Sequence, residues 1–281
     1  MKTCLVLEGG AMRGMYTAGA LDVLYNAGIR FDGIIGVSAG ALFGVNFLSG
    51  QPGRVIRYNK QFNSDRHYMG ILPLLKTGNI VDTEYAYDRV PHQLDVFDDA
   101  AFIASDVPFW AVITDMDSGA AEYLRVRSVF EQMDVLRASG SMPFVSQPVK
   151  LDGKRYLDGG VADAIPFRAA EALGFDRVAV ILTRDIHYVK KPMDPRVIHA
   201  WYRHVPAFEE KLKTRHNDYN TAVRDLLNWE QQGKAWVLRP SAPIEIGRLE
   251  RKPEKLQAVY DEGSGDARAA LPSLTAWLER T

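Results

Sequence analysis

The sequence predicts an α/β fold with three layers, in which helices cover both faces of a mainly parallel central sheet. Strand-like and helix-like segments alternate along roughly the first two thirds of the 281-residue chain, and this alternation is typical of parallel sheets. Residues 178–182 read VAVIL, a continuous apolar run that indicates a strand buried on both faces. Apolar residues make up 47% of the chain, which is enough for a large core.

The individual elements follow from apolar periodicity and from the turn residues between segments. Strands are predicted at residues 3–8, 31–37, 109–114, 122–126 and 177–183. Helices are predicted at residues 14–27, 39–49, 53–63, 83–89, 129–139 and 166–173.

The pattern changes after residue 183, so we predict a catalytic core of residues 1–183 and a mostly helical extension of residues 184–281 packed on the same domain. The extension begins with a polar linker at 185–195, followed by a helix at 206–233 and a strand at 235–240 that returns to the sheet edge. Gly263 and Gly265 are expected to separate two C-terminal helices, at residues 252–262 and 265–279.

A nucleophile-elbow motif lies between the second predicted strand and the helix after it. Residues 36–40 read GVSAG, so Gly36 and Gly40 flank Ser38 at two positions on either side. The strained strand–turn–helix backbone of such an elbow needs small neighbours to expose the serine Oγ. The motif favours a nucleophilic Ser38, and a tight turn capped by a serine is the structural alternative.

A glycine-rich turn follows the first predicted strand and precedes a helix. Free backbone N–H groups at a helix start, together with the helix dipole, favour a phosphate or the oxyanion of acyl transfer. The turn consists of Gly9, Gly10, Ala11, Met12, Arg13 and Gly14. The G-x-G-x-x-G fingerprint of dinucleotide sites fails at Ala11, and the sequence has no G-x-x-x-x-G-K-[ST] motif, which argues against nucleotide binding.

A third motif, Asp158-Gly159-Gly160, follows a strand-like segment and is expected at a strand end facing a cleft. In order and spacing the three motifs resemble those of the patatin-like phospholipases, which carry G-G-G-x-[K/R]-G, G-x-S-x-G and D-G-[G/A]. The stretch at 137–148 resembles the small-residue segment that precedes the aspartate in this family. The resemblance covers about residues 1–183 and departs at Ala11, where the family has a third glycine. The oxyanion role of Ala11 depends on a negative φ at this position.

The resemblance implies a lipid acyl hydrolase of the phospholipase A, lysophospholipase or esterase type with a Ser–Asp dyad. Ser38 would attack the ester carbonyl and Asp158 would accept the serine proton. The N–H groups of the turn at residues 9–14 would bind the oxyanion, and Arg13 would either add charge or hold the loop in place. The implied chemistry uses no metal and no other cofactor.

Two other classes of function stay open at this point. An α/β-hydrolase-type esterase or an acyltransferase would use a Ser-His-Asp triad with a histidine late in the chain, and His187 is the serious candidate. A non-catalytic protein that binds lipid or nucleotide on the same fold is the second alternative.

Charge and hydropathy limit the expected partners. The net charge of −1 indicates no binding to nucleic acid. No apolar run approaches 18 residues and no signal-peptide pattern is visible, so we expect a cytoplasmic protein, at most peripheral at a membrane surface. Residues 64–81, which contain MGILPLL, are the candidate lid or interfacial segment, although packing in the core is the interpretation we favour.

Overall fold

Eight strands form one mixed sheet in the computed structural model, which describes residues 1–280. The strand order is β5-β6-β3-β2-β1-β7-β8, and β4 pairs with β3. The strands β3, β2, β1, β7 and β8 are parallel, whereas β4, β5 and β6 run antiparallel to their neighbours. The bounds are β1 Thr3–Leu7, β2 Gly33–Val37, β3 Phe109–Asp115, β4 Ala121–Val126, β5 Val149–Leu151, β6 Lys154–Asp158, β7 Arg177–Ile181 and β8 Ala235–Leu238.

Ten α-helices lie in the described residues, and the predicted three-layer α/β class is confirmed. Strand β1 shows the reason, because its alternate side chains enter different cores: Leu5 and Leu7 enter one, Cys4 and Val6 the other. The bounds are α1 Gly14–Asn26, α2 Ala39–Leu48, α3 Arg54–Phe62, α4 Ile71–Thr77, α5 Asp99–Ala104, α6 Met133–Gly140, α7 Phe167–Ala172, α8 Pro195–Tyr202, α9 Pro206–Gln231 and α10 Pro253–Leu278.

Two predicted helix boundaries in the first half are wrong. The helix predicted at 83–89 is a π-helical segment, Tyr85–Leu94, that continues through Pro91. The helix predicted at 129–139 begins only at Met133. Both errors are errors of extent, since each element lies within a few residues of its expected place.

The C-terminal third contains one helix that was not predicted from the sequence. Helix α8 begins at Pro195, the last residue of the predicted linker, and the Asp194 side chain accepts a hydrogen bond from the Arg196 N–H. An aspartate cap followed by proline is a standard helix start. The predicted strand β8 joins the sheet edge beside β7, and the division into core and extension at residue 183 stays a prediction.

The two predicted C-terminal helices form one continuous helix, α10. A Cβ atom on Gly263 would stand 2.0 Å from the Tyr16 carbonyl oxygen, and one on Gly19 would stand 2.0 Å from the Tyr260 carbonyl oxygen. The glycines therefore let α1 and α10 approach closely, backbone against backbone. The prediction of a break at Gly263 is wrong because this glycine serves packing between helices.

The candidate lid segment is partly buried and partly exposed. Met69 is buried, whereas Ile71 and Leu75 in α4 are 72% and 81% exposed. The favoured interpretation of core packing is therefore correct for Met69 and wrong for the outer face of α4. No helix within residues 1–280 combines the length and the apolar character that crossing a bilayer requires.

Candidate active site

The pairing of β1 with β2 brings the glycine-rich turn beside the elbow. These strands are parallel neighbours with Leu7 opposite Gly36, so the two loops leave the sheet at the same edge. A Cβ atom on Gly9 would stand only 2.8 Å from the Ser38 Cβ. Ligands of parallel α/β sheets bind outside this edge, at the carboxyl ends of the strands.

The elbow holds Ser38 in a strained backbone conformation. Ser38 has φ 55° and ψ −122° and precedes α2, a conformation that costs a non-glycine residue about 1–3 kcal/mol. Its N–H donates to the Ser139 Oγ at 2.9 Å. The flanking glycines are sterically required, because a Cβ on Gly36 would lie 2.6 Å from the Ala41 Cα and one on Gly40 would lie 2.4 Å from the Leu7 carbonyl oxygen.

Strand β6 carries Asp158 to the elbow. β6 pairs with β3 so that Asp158 lies opposite Ile113, and β3 lies beside β2. The Ser38 Oγ donates a 2.6 Å hydrogen bond to the Asp158 Oδ2. The Gly160 N–H donates to Oδ1 at 2.7 Å. Position 159 needs glycine, because a Cβ atom there would lie 2.1 Å from a β3 carbonyl oxygen.

Burial makes the Asp158 carboxylate a stronger base than an ordinary aspartate. The side chains of Ser38 and Asp158 are both buried. Loss of hydration raises the pKa of Asp158, and the Ser38 hydroxyl, the Arg215 charge, the Gly160 N–H and the Lys190 charge oppose this rise. The Arg215 Nε also donates to the Gly160 carbonyl oxygen at 2.6 Å, which fixes the turn that presents the carboxylate.

The glycine-rich turn presents free backbone donors next to Ser38. Within residues 1–280, no protein group accepts a hydrogen bond from the amides of Gly9, Gly10, Ala11 or Met12. These residues are half-buried. A row of unpaired backbone N–H groups at a cavity wall and a helix start favours the binding of an anionic oxygen. Gly14, two residues after Met12, begins α1, and a Cβ atom there would lie 2.8 Å from the Phe43 ring.

Ala11 does not have the negative φ on which its predicted oxyanion role depends, because its φ is +49°. Left-handed φ costs an alanine about 1 kcal/mol and costs glycine nothing, which accounts for the glycine that the family has at this position. The Ala11 N–H nevertheless remains unpaired and the residue lines the cavity beside Ser38.

Two cavities meet at Ser38. The first encloses about 1000 Å³, including its open mouth, and is mainly apolar. Its walls include Leu42, Phe43, Val90, Leu136 and Met142. The second encloses about 830 Å³, again including its open mouth, and is polar. Asp158 and the turn residues from Gly9 to Ala11 line it. Ser38, Ala11, Met142 and Arg248 line both cavities, so the two join beside the serine.

The structure does not bring the triad candidate His187 to Ser38. His187 is exposed, and its backbone N–H donates to the Asp185 Oδ1. No histidine of the described chain lines either cavity. Residues 1–280 also contain no group of three or more His, Cys, Asp or Glu side chains placed to hold a metal ion.

Four cations of the polar cavity were not predicted from the sequence. Arg184, Lys190, Arg215 and Arg248 line it together with Arg13. Arg184 and Lys190 lie in the loop after β7, Arg215 in α9 and Arg248 in the segment before α10, so no sequence spacing links them. The position of Arg184 directly after the predicted strand at 177–183 was the one local signal for these four residues that pointed to this sheet edge.

Several known proteins are similar to this chain. An uncharacterized protein, YjjU, of Escherichia coli K12 is 33% identical over 186 residues, which are 65% of this chain and 52% of that protein. An uncharacterized NTE family protein, Mb1092c, of Mycobacterium bovis is 25% identical over 201 residues, or 71% of this chain and 54% of that protein. The chain thus spans about half the length of these relatives.

Two further similarities are to proteins with names or solved structures. Neuropathy target esterase sws of Drosophila melanogaster is 26% identical over 181 residues, covering 63% of this chain and 12% of that protein. The crystal structure of VipD from Legionella pneumophila superposes with a TM-score of 0.47 at 13% identity, covering 97% of this chain and 67% of that chain.

Family profiles match two parts of the chain. A domain of unknown function, DUF6363, matches residues 205–279. The profile described as patatin-like phospholipase matches residues 5–171. That match spans more than half of the chain and contains the glycine-rich turn, the elbow and the Asp158 turn. The chain therefore belongs to the patatin-like phospholipase family.

Proposed function

We propose that the protein is a lipid acyl hydrolase in which Ser38 is the nucleophile and Asp158 the base. Membership of the patatin-like phospholipase family supports lipid hydrolysis as the general activity. The observation that supports Ser38 and Asp158 as nucleophile and base is the 2.6 Å hydrogen bond from the Ser38 hydroxyl to the buried carboxylate. It lies beside four unpaired backbone N–H groups. A nucleophile, a base and oxyanion donors within one site are the parts that acyl transfer needs.

The proposed reaction has two steps. The Ser38 Oγ forms a bond to the ester carbonyl carbon while its proton passes to Asp158, and the alcohol leaves with that proton. Water then attacks the acyl-enzyme, giving one proton to Asp158, which returns it to the Ser38 oxygen as the carboxylic acid departs. In both steps the amides of Gly9, Gly10 and Ala11 stabilise the oxyanion, and one such donor contributes about 3–4 kcal/mol.

The apolar cavity favours a substrate in which a long hydrocarbon chain is attached to the ester carbonyl. Its lining is mainly aliphatic and aromatic, as the site of an acyl chain requires. Burial of each CH₂ group contributes roughly 0.8 kcal/mol, so affinity should increase with chain length until the cavity is filled.

Labelling with a fluorophosphonate probe, together with hydrolysis of an acyl ester, tests this proposal directly. The probe reacts with an activated serine, so we expect stoichiometric labelling of the wild type at Ser38 and release of fatty acid from the ester. A wild type that is folded but neither labelled nor active would contradict the proposal.

The pH dependence follows from the burial of Asp158. The base must be ionised, so kcat/KM should fall as pH decreases through the Asp158 pKa, which burial raises above its ordinary value. Arg215 lowers that pKa, so Arg215→Gln should move the acid limb of the pH profile to higher pH. Arg215→Lys keeps the charge and serves as the control. An acid limb that stays in place, or moves to lower pH, in Arg215→Gln would contradict this explanation.

We also propose that the exposed face of α4 contacts the surface of a lipid aggregate. Ile71 and Leu75 are largely exposed. The chain just after α4 lies close to the cavity wall, because the Ile80 N–H donates to the carbonyl oxygen of Val145, which directly follows residues 142–144. Residues 142–144 line the polar cavity beside Ser38. Exposed apolar side chains next to a lipid site indicate an interfacial surface.

Vesicle binding tests the role of α4. Changing both Ile71 and Leu75 to serine should weaken binding to zwitterionic vesicles by about tenfold or more, because it removes two buried aliphatic side chains from the interface. Val96→Ser, at a site that is 56% exposed, is the matched control. Equal binding by all three proteins would exclude α4 as the contact surface.

A further inference from the structure

We propose that the polar cavity beside Ser38 binds an anionic phosphate group on the alcohol side of the ester. Acyl esters with an anionic headgroup would then be the preferred substrates. This inference rests on the proposed function, since it assigns the alcohol part of the substrate to one of the two cavities that meet at Ser38.

The charges of the cavity wall favour an anion. Five cations and two carboxylates, Glu8 and Asp158, line this cavity, so with all groups ionised the positive charges exceed the negative ones by three. The chain as a whole has a net charge of −1, so the excess is a local feature of this cavity. Five cations line it: Arg13, Arg184, Lys190, Arg215 and Arg248.

None of these five cations forms an ion pair with a carboxylate in the described part of the chain, and their side chains make only one hydrogen bond, from Arg215 to the Gly160 carbonyl oxygen. The Nε atoms of Arg13 and Arg184 are buried with no partner. Buried charged donors are normally paired. Arg54 of the apolar cavity shows the usual situation, with the Asp95 carboxylate at 3.2 Å.

The two carboxylates of the cavity are engaged elsewhere. Glu8 accepts hydrogen bonds from the Thr183 N–H at 2.6 Å and from the Tyr219 hydroxyl at 2.8 Å. Asp158 accepts from Ser38 and Gly160. Neither carboxylate is therefore a direct partner of the guanidinium or ammonium groups, which remain available to a ligand.

Aromatic rings position two of the cations without neutralising them. The Arg184 guanidinium lies 4.1 Å from the centre of the Tyr188 ring, and the Lys190 Nζ lies 4.4 Å from the centre of the Tyr219 ring. Such cation–π contacts stabilise and orient a charge while leaving its hydrogen-bond donors free. The cavity is thus preorganised for an anion rather than closed by internal ion pairs.

Crowding of like charges has a measurable consequence at Lys190. Burial and the charges of Arg215, Arg13 and Arg184 lower the pKa of Lys190 to about 7, and Glu8 opposes this shift. A bound anion stabilises the protonated lysine, so anion binding should weaken as pH rises through about 7. Tyr188, His216 and Arg248 also line a cavity together with Lys190. The Tyr219 ring lies against the ammonium group, and its hydroxyl stays protonated because burial raises its pKa.

The decisive experiment compares two monomeric esters with the same octanoyl chain. One is a lysophosphatidylglycerol, whose phosphodiester charge does not change near neutral pH, and the other is the uncharged monoacylglycerol. We expect wild-type kcat/KM to favour the anionic ester about tenfold or more, as one charged hydrogen-bond partner provides. Arg184→Gln and Lys190→Gln should each reduce this ratio about tenfold. Arg268→Gln, at an exposed position on α10, should leave the ratio unchanged.

Binding to the Ser38→Ala variant separates this inference from the proposed function. Calorimetry should show that this variant binds the anionic ester more tightly than the neutral one, less so at pH 8.5 than at pH 6, whether or not the wild type turns it over. Glycerol 3-phosphate should compete, and inorganic phosphate should compete more weakly. Equal binding of the two esters would overturn the inference. Tighter binding of inorganic phosphate without an ester preference would also overturn it, by indicating a site for free phosphate.

Discussion

Replacing Ser38 by alanine should abolish ester hydrolysis, with kcat reduced by at least about 10⁴-fold. The change removes only the Oγ atom, whose one hydrogen bond goes to the Asp158 carboxylate. The elbow backbone stays the same, since alanine tolerates the conformation at this position as well as serine does. Fluorophosphonate labelling should be lost in parallel with turnover.

A nearby buried serine provides the control for this variant. The Ser141 Oγ donates to the Arg137 carbonyl oxygen, and Ser141 contacts the Asp158 N–H only through its backbone. Ser141→Ala should therefore keep most of the activity and all of the labelling. If Ser38→Ala retains turnover while its thermal unfolding is normal, the serine is not the nucleophile.

Replacing Asp158 by asparagine should reduce kcat by about 10³- to 10⁴-fold, because the amide cannot accept the serine proton. Asparagine has nearly the same shape and can still accept a hydrogen bond from Ser38. The protein should therefore fold, and removal of a carboxylate whose pKa is raised by burial should cost little stability near neutral pH. Measurement of single-turnover acylation isolates the step in which the base acts.

Asp152→Asn is the matched control for Asp158→Asn. Asp152 also precedes a glycine in a turn, but it is exposed in the β5–β6 hairpin, so its replacement should leave kcat within about twofold. A double variant of Ser38 and Asp158 should be no slower than Ser38→Ala, because nucleophile and base act as a unit. Persistent labelling of Asp158→Asn would require a different base, and the His187→Ala variant would then test the triad.

Local sequence patterns predicted the elements that meet at the site. A strand, a glycine-rich turn and a helix at 3–27, and a strand, an elbow and a helix at 31–49, lie within a few residues of their predicted places. Each is specified by residues adjacent in the chain: apolar runs define the strands, and glycines at fixed offsets define the turns. The conformation of Ala11 was not evident in this way, because one substitution in a motif does not reveal its φ.

Contacts between distant segments decided the rest. Gly263 looked like a helix break in sequence, but its partner is the Tyr16 carbonyl in α1. The five cations of the polar cavity come from segments spread between residues 13 and 248. Arg13 belongs to the glycine-rich turn and Arg184 follows a predicted strand, but the neighbours of the other three in the chain do not point to the site. The sequence by itself determined the family, the fold class and the serine and aspartate motifs, because short-range spacing encodes them. Only the tertiary structure decided which charges stand unpaired beside Ser38, since that depends on how strands and helices pack across the whole chain.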